Sequence, residues 1–365
     1  MLLFENKILE YKKQEIEQIE KSSIFEIQGF SPFMFRNEGI KVDIDKIYEI
    51  WKFLDSMHTS GYKNNVKLGL KDKITLEEIN LVKYCLRKSL DLLNKTNSEK
   101  IFIPINSISR ALISYRFITK QVDKNEKIIE WGPGSGFLGL MLLKSGYNYS
   151  AMDVAMGFYI LQDILWSEEI KKKDFKHYKW WEWIKEKDNI YENIIATHML
   201  AEMHPEALKF NLRRNAKTKK KIKYFFEDFG LSNSHEKVGR IFCKFGNYLN
   251  YYVNIKEKNF ILYYGVFSNC KIRKLNLKHY IPNLGLFYKF SELKKLIFKI
   301  LKNEEYETIF NPYFHKRNIV SNRYHGNEKN LHYEKDSALN IINDVIEKEY
   351  KNISLKSPDC LFLNG

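Results

Sequence analysis

The amino-acid sequence predicts an α/β fold in which a doubly wound, mostly parallel sheet follows an N-terminal helical region. Up to about residue 118, apolar residues recur at helical spacing. After Lys127, short apolar runs typical of buried strands alternate with helical segments, and a glycine-rich turn follows the first run. We therefore expect a helical region over residues 1–105 and an α/β domain, with C-terminal additions, over residues 106–365.

Three helices are predicted in the helical region and at its border. The first carries an apolar stripe at helical spacing, made of Ile47, Ile50, Trp51, Leu54 and Met57. The second begins at a capping box, in which the Thr75 hydroxyl and the Glu78 carboxylate accept hydrogen bonds from free backbone N–H groups. The third runs from about Ser107 to Thr119.

The α/β domain is predicted from the alternation of strand and helix patterns. Strands are expected over residues 127–131, 147–154, 193–197, 222–227 and 260–267. Helices are expected over residues 137–144, 156–168, 291–302 and 336–351, with a further helix beginning at Pro205. Because strands that alternate with helices connect by crossovers, the sheet should be mainly parallel.

The composition places the chain among folded proteins and leaves its partner open. Hydrophobic residues make up 44% and aromatic residues 15% of the 365 residues, which excludes disorder over most of the chain. The formal charge of +15 indicates an anionic partner, such as nucleic acid, an anionic membrane face or an acidic glycan. Residues 209–223 hold eight basic residues and no acid. We interpret this stretch as a helix C-terminus and a solvated loop, rather than as an anion-binding surface.

The cysteines and the apolar runs indicate a compartment. Cys85, Cys243, Cys270 and Cys360 are far apart, so neither a zinc site nor a disulfide framework is expected. No segment reaches the roughly 18–20 apolar residues of a membrane span, and the first residues lack an apolar run of signal length. We expect a soluble, cytoplasmic protein. The sequence does not indicate an oligomeric state.

The glycine-rich turn, EWGPGSGFLG, begins at Glu130 and fits two nucleotide-binding patterns. Gly134, Gly136 and Gly139 fit the dinucleotide pattern G-x-G-x-x-G. The longer register, E-x-G-x-G-x-G from Glu130 to Gly136, resembles motif I of class I S-adenosylmethionine (SAM) methyltransferases. Pro133 favours the second pattern. In that family the glycines wrap the methionine end of the cofactor, so the resemblance implies cofactor binding by Glu130, Gly132, Gly134 and Gly136.

An acid is expected at the end of the next strand, where a carboxylate can accept hydrogen bonds from ribose hydroxyls. Asp153 occupies that position. Its alternative interpretation is an N-cap of the following helix, and the two roles are compatible.

A histidine-bearing turn, THMLAEMHPEAL, follows the strand that ends at Thr197. His198, Glu202 and His204 should lie at the carboxyl ends of the strands, where ligands bind in a doubly wound sheet. His198 is the leading candidate for a general base, since its pKa lies near neutrality and a hydroxyl needs deprotonation to attack. Glu202 would orient the imidazole. The alternatives are His204 as the base, a metal site made by the three side chains, or an ordinary helix start.

Three other groups of residues have two interpretations each. Glu227 and Asp228 end a predicted strand, where they either bind sugar hydroxyls or serve as ordinary turn acids. Arg110, Tyr115 and Arg116 either close over the cofactor carboxylate or form a solvated face. The tryptophans at positions 180, 181 and 183 either stack on adenine or sugar or pack in the core, and we favour core packing.

Taken together, the motifs EWGPGSGFLG, MDVAMGFYILQ, THMLAEMHPEAL and FFEDFG resemble the bacterial sugar O-methyltransferase family over about residues 105–235. Trp131 replaces the family's usual aliphatic residue, and Thr197 its usual amide. The resemblance implies a Rossmann-like methyltransferase domain with SAM as cofactor, and we assign no metal ligand. It also implies transfer of a methyl group to a sugar hydroxyl on a glycan or its carrier, in capsule or lipopolysaccharide biosynthesis.

Two rival functions stay open. A nucleic-acid methyltransferase would share the cofactor and account for the charge, although no motif makes a strong case for nucleic acid. An NAD-dependent sugar oxidoreductase would use the dinucleotide register of the glycine turn.

Overall fold

The computed structural model describes residues 2–21, 50, 51, 54, 74–95, 104–170, 175–186, 190–197, 199, 200, 203, 205–218, 220–229, 232–257 and 260–269. These residues form two compact units, one up to residue 186 and the other from residue 190 to 269. The helices expected over 291–302 and 336–351 lie outside the described residues. The domain boundary expected at residue 105 stays a prediction.

Helices α1 (Leu2–Lys21), α2 (Leu76–Lys95) and α3 (Ile105–Thr119) precede the first strand of the first unit, and further helical residues lie between α1 and α2. The predicted capping box is present at α2. The Thr75 N–H donates to Glu78 Oε2 at 2.8 Å, and the Glu78 N–H donates to Thr75 Oγ1 at 3.2 Å. Ile50, Trp51 and Leu54 are helical, as their spacing predicts, whereas Ile47 and Met57 lie outside the described residues.

The rest of the first unit alternates strands with helices. Its elements are β1 (Lys127–Trp131), α4 (Phe137–Lys144), β2 (Asn148–Asp153), α5 (Met156–Leu165), α6 (Ser167–Ile170), β3 (His177–Lys179) and α7 (Trp180–Lys185). The strands are parallel, in the order β3-β2-β1. In β1 every residue after Lys127 is buried, Glu130 included, so the strand does not alternate buried and exposed residues.

Helix α1 packs against α5 and α7. Tyr11 lies against the rings of Tyr159 and Trp181, and the Trp180 indole donates to Glu15 Oε1 at 3.1 Å. Trp180, Trp181 and Trp183 are all buried, in agreement with core packing.

The second unit contains β4 (Asn193–Thr197), α8 (Pro205–Ala216), β5 (Lys223–Phe229), α9 (Ser232–Lys244), β6 (Tyr248–Glu257) and β7 (Phe260–Ser268). β4 and β5 are parallel, whereas β7 runs antiparallel to both β5 and β6. β5 continues to Phe229, so the strand end predicted at Glu227 is wrong. Pairing with β7 extends the strand, and both Glu227 and Asp228 lie inside it.

The basic stretch lies at the far end of α8. This helix starts after β4 and ends at Ala216, before β5 begins, with Arg213 and Arg214 in its last turn. Because β4 and β5 are parallel, the end of α8 lies at their amino ends, opposite the edge where ligands bind. Lys209 pairs with Glu206 and Lys220 with Glu192.

The predicted fold class is confirmed. Among the described strands, β1, β2 and β3 pair in parallel, as do β4 and β5, and β6 and β7 add an antiparallel hairpin. Helices lie between the parallel strands, which makes this a mixed, mostly parallel α/β fold. No helix within the described residues is long and apolar enough to cross a membrane.

Candidate functional site

The turn between β1 and α4 has the backbone conformation that its glycines predict. Gly132, Gly134 and Gly136 have φ values of 67°, 56° and 78°, in the left-handed region that side-chain-bearing residues avoid. Gly132 donates its N–H to the Met152 carbonyl of β2 at 2.8 Å, and Gly136 donates to the Pro133 carbonyl at 3.1 Å. The turn therefore brings bare backbone to the carboxyl ends of β1 and β2.

Asp153 connects β2 to this turn. The side chain is 2% exposed; its Oδ1 accepts the Ala155 N–H at 3.0 Å, and its Oδ2 accepts the Gly134 N–H at 3.4 Å. The N-cap of α5 is Ala155, so the interpretation of Asp153 as the N-cap residue is wrong. The carboxylate instead lies beside the glycine turn, where the sequence places a cofactor-binding acid.

Gln162 of α5 joins Asp153 to the glycine turn, and the sequence analysis assigned it no role. Its Nε2 donates to Asp153 Oδ2 at 2.7 Å and to the Gly134 carbonyl at 2.9 Å. Because both partners are acceptors, Nε2 must be the NH₂ group, and Oε1 is the atom 3.1 Å from His177 Nε2. His177 Nε2 therefore carries the proton.

His177 packs beside Gln162 in this network. Its ring stacks on Tyr159 with centroids 4.0 Å apart, and its Nδ1 lies 3.9 Å from Asp163 Oδ1. Burial lowers the pKa of His177, although Asp163 opposes the shift. The Nε2–H of His177 keeps the Gln162 amide in the single orientation that serves the turn.

Glu130 lies under the turn rather than in solvent. The side chain is 1% exposed and accepts the Tyr149 hydroxyl at 2.6 Å. Burial raises the pKa of the Glu130 carboxyl to about 8, with a smaller raising effect from Asp153, while the Tyr149 hydrogen bond lowers it. Burial also raises the pKa of Asp153 to about 6, against the hydrogen bonds that lower it. Whether Glu130 contacts the cofactor stays a prediction.

The raised pKa of Glu130 predicts a pH-dependent stability. A folded-state pKa above the unfolded value of 4.5 means that the folded state holds its proton more tightly. The stability that protonated Glu130 contributes is then complete below pH 4.5. It decreases by about 1.4 kcal/mol for each pH unit as the pH rises towards 8. We expect Glu130→Gln, measured by urea unfolding, to gain stability relative to wild type as pH rises from 5 to 8.

Other groups can be separated from this effect. The contribution of Asp153 to stability changes with pH only below pH 6. The contribution of His177 rises with pH instead of falling, and it does so below the ordinary histidine pKa of 6.5. The difference in free energy of unfolding between wild type and Glu130→Gln above pH 7 therefore reports on Glu130. A constant difference across that range would show that Glu130 is already ionised in the folded protein.

The predicted catalytic residues lie mostly outside the described part of the chain. His198, Glu202 and His204, and the side chain of Asp228, are not among the described residues. Glu227 is 1% exposed and lies opposite Thr197, the last residue of β4. Within the described ranges no three His, Cys, Asp or Glu side chains cluster in a way that could hold a metal ion. The roles of these residues stay predictions.

The charged face expected on α3 is not a solvated one. Arg116 donates from Nε to Glu78 Oε1 at 2.6 Å and from Nη2 to Glu78 Oε2 at 2.9 Å, which joins α3 to α2. Tyr115 donates to Ser145 Oγ at 2.9 Å, and Arg110 is buried. Arg116 and Tyr115 therefore have structural partners within the first unit.

No protein-family model matches this chain, and no curated protein matches it either. Solved structures do. A Listeria monocytogenes protein assigned to the class I SAM-dependent methyltransferases is 16% identical over 69% of this chain and 88% of its own, with a TM-score of 0.38. The magnesium protoporphyrin IX methyltransferase of Synechocystis PCC 6803, with bound SAM, is 9% identical over 54% of this chain and 99% of its own, with a TM-score of 0.37.

A third structure is the tRNA (uracil-54, C5)-methyltransferase of Pyrococcus abyssi in complex with S-adenosylhomocysteine. It is 17% identical over 44% of this chain, and the match spans only 38% of its own length, with a TM-score of 0.33. At such low identities and TM-scores, the function of this chain has to be argued from its own residues.

Proposed function

We propose that this chain is a SAM-dependent methyltransferase that transfers a methyl group to a sugar hydroxyl. One observation carries the cofactor assignment: among the three left-handed glycines after β1, Gly134 donates its N–H to Asp153, the acid that ends β2. This arrangement joins a backbone surface without side chains to a carboxylate, which suits a ligand with an amino-acid end and a ribose.

The residues present fit this cofactor. The Asp153 carboxylate accepts hydrogen bonds from Ala155, Gly134 and Gln162, and a hydrogen bond from the Val154 N–H also lowers its pKa. It is a group that only accepts when ionised and lies beside the glycine turn, which suits the hydroxyls of a ribose. Helix α4 has Gly136 as its N-cap and no side-chain cap, so the N–H groups of its first turn can meet the polar amino-acid end of the cofactor.

The acceptor follows from the sequence resemblance and the chemistry of the histidine turn. SAM, when bound, supplies an electrophilic methyl group. His198, next after the last residue of β4, takes the proton of the acceptor hydroxyl, and Glu202 orients its ring. Glu227 binds the sugar from the neighbouring strand. We place the reaction in the biosynthesis of surface polysaccharide, on a glycan or its carrier.

Calorimetry with S-adenosylhomocysteine tests the cofactor assignment. We expect the folded protein to bind it, and we expect Gly134→Ala to weaken binding because a side chain at a φ of 56° strains the turn. Ligand at about 100 times its dissociation constant should stabilise the protein by about 2.7 kcal/mol. NAD serves as the control ligand. A folded protein that binds NAD and not S-adenosylhomocysteine is an oxidoreductase candidate instead.

A methyl-transfer assay with sugar and RNA acceptors tests the finer assignment. We expect methylated sugar, and we expect His198→Ala to keep S-adenosylhomocysteine binding while losing roughly 10²–10⁴-fold in turnover. His204→Ala is the matched variant that distinguishes the two histidines. Methylation of RNA alone would contradict the sugar assignment and leave the cofactor assignment in place.

A further inference from the structure

Trp51 carries a buried donor that the described structure does not satisfy. The side chain is 0% exposed, and its indole Nε1–H finds no acceptor among the described residues. A buried donor without a partner costs about 1–3 kcal/mol, and a bound ligand or water is one explanation for such a group. The surroundings of Trp51 indicate what that ligand is.

Trp51 lies directly on the start of α4. Its ring stacks on Phe137, the first residue of that helix, with centroids 5.7 Å apart and an interplanar angle of 25°. Leu54, about one helical turn further along, has its Cδ2 4.0 Å from the point where a Cβ on Gly134 would stand. The two side chains therefore cover the glycine turn and the helix start together.

The start of α4 is suited to an anion. Its N-cap is Gly136, no side chain caps it, and no acidic residue lies in its first turn. The free N–H groups and the positive end of the helix dipole favour negative charge there. A second donor, the Trp51 indole, is stacked on the residue that begins this helix.

We propose that the Trp51 indole N–H binds the carboxylate at the amino-acid end of SAM, at the N-terminus of α4. This inference rests on the proposed function. An indole N–H is a donor only and a carboxylate is an acceptor only, so the two are complementary. The ribose of SAM does not take this position, because its hydroxyls bind Asp153 in the proposed site. The SAM carboxylate does not lie beside Asp153, because the two negative charges repel each other.

Calorimetry with two ligands separates this contact from a general effect on the turn. Trp51→Phe keeps a flat ring against Phe137 and removes the N–H. 5′-Methylthioadenosine keeps the adenine and ribose of S-adenosylhomocysteine but has no amino-acid carboxylate. We expect Trp51→Phe to lower the affinity for S-adenosylhomocysteine about 10- to 100-fold, as for the loss of a hydrogen bond to a charged group. The affinity for 5′-methylthioadenosine should stay unchanged.

Further variants protect the experiment from a folding artefact. Since the N–H has no described partner, Trp51→Phe should unfold thermally close to wild type. Trp181→Phe is the matched control, a buried tryptophan that contacts Tyr11, and should leave both affinities unchanged. Trp51→His retains a ring N–H and should recover part of the lost affinity.

Three outcomes decide the matter. Equal weakening of both ligands in Trp51→Phe means that Trp51 only packs against the turn, and this overturns the inference. Unchanged affinity for both ligands overturns it as well, while SAM binding stands. If wild-type protein binds neither ligand, the proposed function itself fails, and the role of Trp51 fails with it.

Discussion

Replacing Asp153 with asparagine is expected to lower the affinity for S-adenosylhomocysteine by on the order of a hundredfold. The ribose loses a charged acceptor, and hydrogen bonds to charged groups contribute about 1.5–3 kcal/mol each. The substitution also replaces one carboxylate oxygen with an NH₂ group. That group then faces either the Gly134 and Gln162 donors at Oδ2 or the Ala155 donor at Oδ1. The measurement is isothermal titration of the purified variant with the ligand.

The Gln162 amide cannot repair this defect by turning over. If it did, its oxygen would face the NH₂ group introduced by Asp153→Asn but would also face the Gly134 carbonyl, which needs a donor. The amide NH₂ would then face His177 Nε2, which carries a proton in the present network. Asp123→Asn, the same change at an exposed carboxylate, is the control. Wild-type affinity in Asp153→Asn would exclude a role for this carboxylate in the ligand site.

Gly139→Ala is expected to destabilise the protein, although alanine is the better helix former. In an exposed helix the exchange would gain about 1 kcal/mol. Here, a Cβ on Gly139 would lie 2.5 Å from the Tyr149 hydroxyl and 2.7 Å from Trp166 Cζ2. Both rings are buried, so they must be displaced. Overpacking of this kind costs typically about 1–3 kcal/mol, and we expect a net loss of about 2 kcal/mol in urea unfolding.

The Tyr149→Phe background tests the cause. It removes the hydroxyl that a Cβ would meet first, so Gly139→Ala should cost less there than in wild type. The same background removes the hydrogen bond to Glu130. A Gly139→Ala variant as stable as wild type or more so would show that the helix and the two rings move apart without cost.

The sequence predicted those parts of the site that depend on neighbours in the chain. The capping box spans residues 75–78, and the glycine turn follows from alternate glycines between a strand and a helix. Asp153 was predicted because the next parallel strand must end beside the first. Each of these signals lies within one supersecondary unit, where spacing alone fixes the geometry.

The rest depends on pairs of side chains that no local pattern connects. Gln162 is a polar residue on a mostly apolar helix, and its role appears only when His177 and Gly134 are brought to it. Glu130 and Tyr149 meet because β1 and β2 lie side by side with a particular register. The strand β3 is only three residues long, which is too short to show a period. The end of β5 was missed because its partner β7 comes later in the chain.

The Gln162 contacts have a kinetic consequence. The turn is joined to Asp153 and to His177 through bonds between protein atoms alone. The backbone order that a ligand needs is therefore established during folding, and little conformational entropy remains to be lost at the moment of encounter. Cofactor association should then follow a single exponential whose rate rises linearly with ligand concentration, without a slower step of loop ordering.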